Sequence, residues 1–209
     1  MPRRLAYFIS IIFHPLLMPF YAVSSLFFFN SYMQMIIPEK LRWILLALLF
    51  LTTAFMPFLS AIIMKRKGEI STLEMESREE RQRPLFTVLM YYLITIYFVH
   101  RIHLPLVFTK VLAGAAIVVA FVWIINYFTK ISLHTSAAGG FVGFVFTLPY
   151  LLNGYFFYPL VASLLLAGVI GSARLVAGNH TLSQIYSGYG LGFVVMTAVM
   201  LFPFYTKSS

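Results

Sequence analysis

The chain of 209 residues is 61% hydrophobic and 10% charged, with a mean hydropathy of +0.89, whereas a soluble domain is usually about 25% charged. That composition excludes a soluble surface and intrinsic disorder, and the absence of cysteine and aspartate excludes disulfides, thiolate metal centres and aspartate-based catalysis. The net charge of +9, from 15 basic and 6 acidic residues, points in a membrane protein to anionic lipid or a phosphate-bearing ligand, not to nucleic acid.

A helix that crosses a bilayer needs about 20 apolar residues. The first candidate span runs from Leu5 to Phe29, behind the basic pair Arg3 and Arg4, and is expected to bend at Pro15 and Pro19. It is too long for a signal-peptide core and reads as a retained helix. His14, beside the first proline, reads as a structural residue that fills the polarity left by the kink. The second span, Trp43 to Met64, carries no charge.

The polar stretch from Lys65 to Arg83 reads as a short interfacial helix. Ser71 and Glu74 have the spacing of a capping box, and Glu74 with Arg78 and Glu79 with Arg83 have the i, i+4 spacing of helix ion pairs. Span three, Leu85 to Val99, is short enough to be re-entrant. Span four, about Leu104 to Phe128, carries Lys110 near its end, where it is expected to snorkel. The uncharged stretch after Lys130 divides at Asn153-Gly154 into a fifth span, about Ser136 to Leu152, and a sixth, about Phe156 to Leu175. The seventh runs from about Gln184 to Tyr205. No strand alternation and no repeat is present, so the expected architecture is a single all-α integral membrane domain over residues 1–209, a bundle of six or seven transmembrane helices.

Counting spans brings three polar clusters to one membrane face. Arg78, Arg81 and Arg83 precede span three; a helical hairpin returns the chain to Ser132-Leu133-His134-Thr135; a second hairpin returns it to Arg174 and His180. Arginines with two histidines and no aspartate suit an anion with several oxygens, because guanidinium groups fork onto phosphate and imidazole serves as nucleophile or proton donor near neutral pH. His100 and His103 have metal-like spacing but no acidic or cysteine partner, and read as interfacial. Asn179-His180-Thr181 matches a glycosylation sequon that would fall on the site itself.

In order and spacing, Arg83-Pro84, Ser132-Leu133-His134, and Ser172-Ala173-Arg174 followed by His180 and Gln184 resemble the three-part signature of the type 2 phosphatidic acid phosphatase superfamily, over about residues 78–190. The resemblance implies that His180 attacks phosphorus, that His134 protonates the departing oxygen, and that Arg83 and Arg174 hold the phosphate oxygens. Ser132, Thr135 and the cations Arg78 and Arg81 stand ready to add donors, and neither cofactor nor metal is implied. The family's lysine, serine and aspartate fall here at Glu76, Ala173 and Gln184. The resemblance thus implies a membrane-embedded phosphatase acting on a lipid phosphate or diphosphate, with Gln184 orienting His180. The alternative is a relative that binds lipid phosphate without hydrolysis. A transporter using Lys110 and Arg174 is disfavoured because no intramembrane acid accompanies them. A bacterial inner membrane is the expected location. The positive charges on the two faces do not fix which side the site faces.

Overall fold

The computed structural model describes residues 1–75, 77–152, 154–178 and 180–203. The first span is built from α1 (Arg3–Ile12) and α2 (Met18–Phe29), separated by a 3₁₀ turn at Pro15–Leu17. Pro15 supplies no N–H, so the α-helical ladder stops there. Pro19 costs nothing, because it lies in the first turn of α2, where no intrahelical N–H is required. His14 behaves as the sequence suggests: its Nδ1 accepts the Leu16 N–H at 3.3 Å and caps the turn.

A short helix not foreseen from the sequence, α3 (Ser31–Ile36), follows, capped by Asn30, whose side chain accepts the Met33 N–H at 3.0 Å. The second span comprises α4 (Glu39–Leu49), a π-helical turn at Phe50–Phe55 and α5 (Met56–Arg66). The remaining spans are α6 (Arg78–Arg101), α7 (Leu106–Ile125), α8 (Leu133–Leu152), α9 (Phe157–Val176) and α10 (Leu182–Leu201). Seven helices are long and apolar enough to cross a membrane, and no strand occurs among the described residues. The protein is an all-α integral membrane bundle.

Two expectations are corrected here. Among the described residues there is no separate interfacial helix. Residues 69–75 form turns, and the helix starts at Arg78 because Ser77, not Ser71, is the N-cap, accepting the Glu80 N–H at 3.2 Å. The polar residues 78–83 are therefore the first turns of the third span, which is a full 24 residues long and runs through Pro84. The strap before it is pinned to that helix: Glu80 accepts the Ser71 N–H at 2.8 Å, and Arg83 pairs with Glu69 at 2.9 Å. The second correction concerns Lys110. It does not snorkel; it is buried and donates to the Met200 and Phe202 carbonyls at 2.8 and 2.9 Å. It caps α10 at the end of the bundle away from His180, satisfying carbonyls that have no helical partner. The expected end of the seventh span, Tyr205, lies outside the described residues, as do Glu76 and Asn179.

Helix α8 is the central element, with 11 of its 20 residues buried against 9 of 20 in α7. It lies against α10 with almost no side chain between the two backbones. A methyl group on Gly192 would overlap the Ser136 carbonyl oxygen, one on Gly139 the Tyr189 backbone, and one on Gly188 the Thr135 hydroxyl. Small residues permit such approach where no hydrophobic force drives helices together. On the half of the bundle away from His180, Leu26, Leu45, Leu49, Phe108, Phe144, Leu148 and Met200 form the main apolar core. Gly192→Val is expected to lower stability by about 1–3 kcal/mol through overpacking. Gly190→Ala, where the added methyl meets nothing within 4 Å, should leave it unchanged. Thermal unfolding in detergent micelles compares the two.

Candidate functional site

Helices α6, α8 and α10 all begin at one face of the bundle, and α9 ends there. A cavity of about 620 Å³ opens at this face, with Ser10, His14, Glu74, Arg81, His134, Arg174 and His180 in its walls. Deeper in the bundle its lining becomes apolar, including Leu17, Ala22, Phe58, Tyr92 and Phe144. The cavity is thus polar at the membrane face and greasy below it. Among the described residues, Glu74 is the one acid that lines it.

His180 lies in the tight turn between α9 and α10. Gly178 adopts φ +78°, a left-handed conformation that side chains disfavour, and this reverses the chain just after Arg174. Thr181 then caps α10 in a capping box with Gln184. The Gln184 Oε1 accepts the Thr181 N–H at 3.3 Å and also lies 3.1 Å from His180 Nδ1. The backbone donor identifies this atom as the amide oxygen, so the imidazole must donate to it. His180 therefore carries its proton on Nδ1 and a lone pair on Nε2. Burial pushes its pKa down from 6.5 to about 4, opposed by the Gln184 hydrogen bond and aided by the positive charges of Arg174, Arg81 and Lys130. The ring is neutral at pH 7.

His134, in the first turn of α8, makes a 3.1 Å contact from Nε2 to the Ser10 carbonyl. Its ring meets that of His14 edge to face, with centroids 5.4 Å apart and an interplanar angle of 82°. Arg81 is buried. Its Nε donates to the Met75 carbonyl at 2.7 Å and its Nη1 to the Ile131 carbonyl at 3.3 Å. Two carbonyls thus fix the guanidinium without neutralising it and leave three of its five N–H groups. Met75 reaches this position in the left-handed region, at φ 48°, which is strained for a side-chain-bearing residue. Arg174 donates from Nη1 to the Ser10 hydroxyl at 3.3 Å, and its buried Nε has no hydrogen-bond partner among the described residues. A buried charged donor left over in a cavity marks where an acceptor fits.

Four sequence candidates, His180, His134, Arg81 and Arg174, share this cavity, with Gln184 behind His180. Four others do not line it. Arg83 points outward to Glu69 with its side chain 73% exposed. Arg78 donates to the Phe128 carbonyl at 2.7 Å, while Asn126 donates to the Arg78 carbonyl, so this pair fastens α6 to the end of α7. Thr135 faces Gly188 within the α8–α10 contact. Ser132 is fully buried; its N–H bonds the Gln184 carbonyl at 3.4 Å and its own carbonyl accepts from Ser136. Sequence reasoning missed Ser10 and the second role of His14, whose one visible signal was the adjacent Pro15. Among the described residues no three histidine, cysteine or acidic side chains are grouped to hold a metal ion. No protein-family model, no curated protein and no solved structure matches the chain.

The low affinity of His180 for protons has a sign that can be checked. Its unfolded value of 6.5 exceeds the folded value of about 4, so the unfolded chain binds the extra proton first. Stability from the neutral buried ring is present above about pH 6.5 and is lost as pH falls through 4. An NMR titration of the His180 ring should give a midpoint near 4. Gln184→Asp should raise it by about 1–3 units, because a carboxylate beside the ring favours the imidazolium.

Proposed function

We propose that the protein is an integral membrane phosphatase of the type 2 phosphatidic acid phosphatase kind, hydrolysing a lipid phosphomonoester or lipid diphosphate through a phosphohistidine at His180. The observation that carries this reading is the cavity's two-part character. Two guanidinium groups, three imidazoles and one carboxylate stand at its mouth, and an apolar channel runs below them. A lipid fits such a space with its tails in the channel and its phosphate among the arginines.

In the first step the Nε2 lone pair of His180 attacks phosphorus while the bond to the leaving oxygen breaks. Arg81 and Arg174 hold the non-bridging oxygens, where charge develops in the transition state. Arg81 takes the part that the sequence pattern gave to Arg83. His134 relays to the leaving oxygen the proton that a phosphate ester monoanion brings on binding. Its Nε2–H is engaged by the Ser10 carbonyl, so the atom that exchanges the proton is Nδ1. In the second step His134 Nδ1 takes a proton from water, water oxygen attacks phosphorus, the N–P bond breaks to restore His180, and the proton leaves with the inorganic phosphate, so that Nδ1 is bare again. Gln184 keeps His180 in the reactive tautomer but supplies no negative charge to an imidazolium.

That neutrality favours a second reading, a protein that binds lipid phosphate on the same groups without hydrolysing it. Phosphate release by the purified full-length chain from a lipid phosphomonoester and a lipid diphosphate, in detergent micelles, separates the two. The phosphatase reading predicts release that His180→Ala abolishes and that Arg81→Ala lowers about 10²–10³-fold. Arg83→Ala should release phosphate at nearly the wild-type rate, since an exposed ion pair is worth about 0–1 kcal/mol. Equal release by wild type and His180→Ala removes His180 as nucleophile; no release by either, with lipid still bound, establishes the binder.

A further inference from the structure

The first span contributes to the site from outside the stretch that carries the signature residues. In an unbroken helix the Ser10 carbonyl would accept the His14 N–H. Here that N–H turns to the Ile11 carbonyl at 3.3 Å, and Pro15 has no N–H with which to serve Ile11 instead. His14 is extended, at φ −65° and ψ 140°. The carbonyl of Ser10, a buried residue, is therefore released from its own helix and requires a donor. His134 Nε2, 3.1 Å away, is that donor.

The side chain of the same residue serves a second group. The Ser10 hydroxyl donates to the Ala6 carbonyl at 2.9 Å, which turns its lone pairs toward Arg174 Nη1 at 3.3 Å. The kink is braced from both sides. His14 Nδ1 is occupied by the Leu16 N–H and its ring lies edge-on to His134. From the second span, the Thr53 hydroxyl in the π-helical turn donates to the Leu49 carbonyl of its own helix at 2.8 Å and lies 3.4 Å from the Leu16 carbonyl. A π-turn in one span thus meets a proline break in the other beside the cavity.

We propose that the kink from Ser10 to Pro15 is a positioning element of the site: the released Ser10 carbonyl holds His134 as the Nε2–H tautomer with its lone pair on Nδ1, and the Ser10 hydroxyl orients Arg174. Ser10, His14 and Pro15 act through His134 and Arg174 and do not themselves touch phosphorus. The catalytic consequence rests on the phosphatase reading; the tautomer of His134 does not.

The test uses the full-length protein in detergent micelles, labelled with ¹⁵N at histidine, together with phosphate-release kinetics. Wild type is expected to show His134 protonated at Nε2 and bare at Nδ1. Pro15→Ala lets the His14 N–H return to Ser10, so His134 should pass to mixed tautomers and kcat should fall about 10²-fold with KM little changed. Ser10→Ala keeps the carbonyl and loses the hydroxyl. The tautomer should then persist while KM rises about tenfold, and Ser10→Thr should restore it. An Nδ1–H or mixed His134 in wild type, or an unchanged tautomer in folded Pro15→Ala, overturns the proposal. So does a Ser10→Ala variant with wild-type KM in an active protein. If wild type releases no phosphate but the tautomers behave as expected, the phosphatase reading fails and the positioning role of the kink stands.

Discussion

Gly192 on α10 meets the carbonyl oxygen of Ser136 on α8 with no space for even a methyl group, and Gly188 and Gly143 make similarly tight contacts on either side of it. The two helices run the same way through the membrane, so this contact fixes their first turns side by side. His134 lies in one and Gln184 in the other, with His180 just before it. The Ser132 N–H to Gln184 carbonyl bond adds a direct tie between the two starts. Every other feature of the site depends on this register. A slide of one turn would move one imidazole by about 5.4 Å relative to the other.

Around that pair, Arg81 is held by backbone dipoles, while Arg174 feels the negative charge of Glu74 as well as a hydroxyl dipole. Arg81 is fixed by two carbonyls and Arg174 by a hydroxyl. An arginine paired with a carboxylate has already spent much of its attraction for an anion; one oriented by carbonyls keeps its charge for a ligand. The positive ends of the α6, α8 and α10 dipoles point to the same face and add to the field. The same surroundings keep His180 neutral. A cationic pocket with an uncharged nucleophile suits attack on a phosphate that brings its own negative charge.

Much of this arrangement was legible from the order of residues. Apolar run lengths give six or seven spans, and counting them puts Arg81, His134, Arg174 and His180 on one face. The i, i+4 spacing of His180 and Gln184 anticipates their hydrogen bond, given that Thr181 starts a helix. The choice between Arg81 and Arg83 was not legible, and the reason is geometric. Two residues apart on a helix are about 200° apart around its axis, so only one of the pair faces inward, and the phase depends on where the helix begins. The capping-box spacing at Ser71 places the helix start too early; tertiary bonds from Glu80 and Arg83 to the strap draw residues 69–75 into turns instead of helix. Lys110 reads as a snorkelling residue because sequence shows its depth but not the open carbonyls of Met200 and Phe202 beside it. Pro15 announces a break, but the partner of the carbonyl it releases lies 124 residues along the chain, and no local pattern encodes that.

A structure of the full-length protein with orthovanadate, a mimic of the phosphoryl transition state, tests the shared site most directly. The expected result is vanadium bonded to His180 Nε2, with Arg81 and Arg174 on its equatorial oxygens and His134 at the apical oxygen. Vanadate bound at Arg83, or bound among the arginines with His180 turned away, would contradict it.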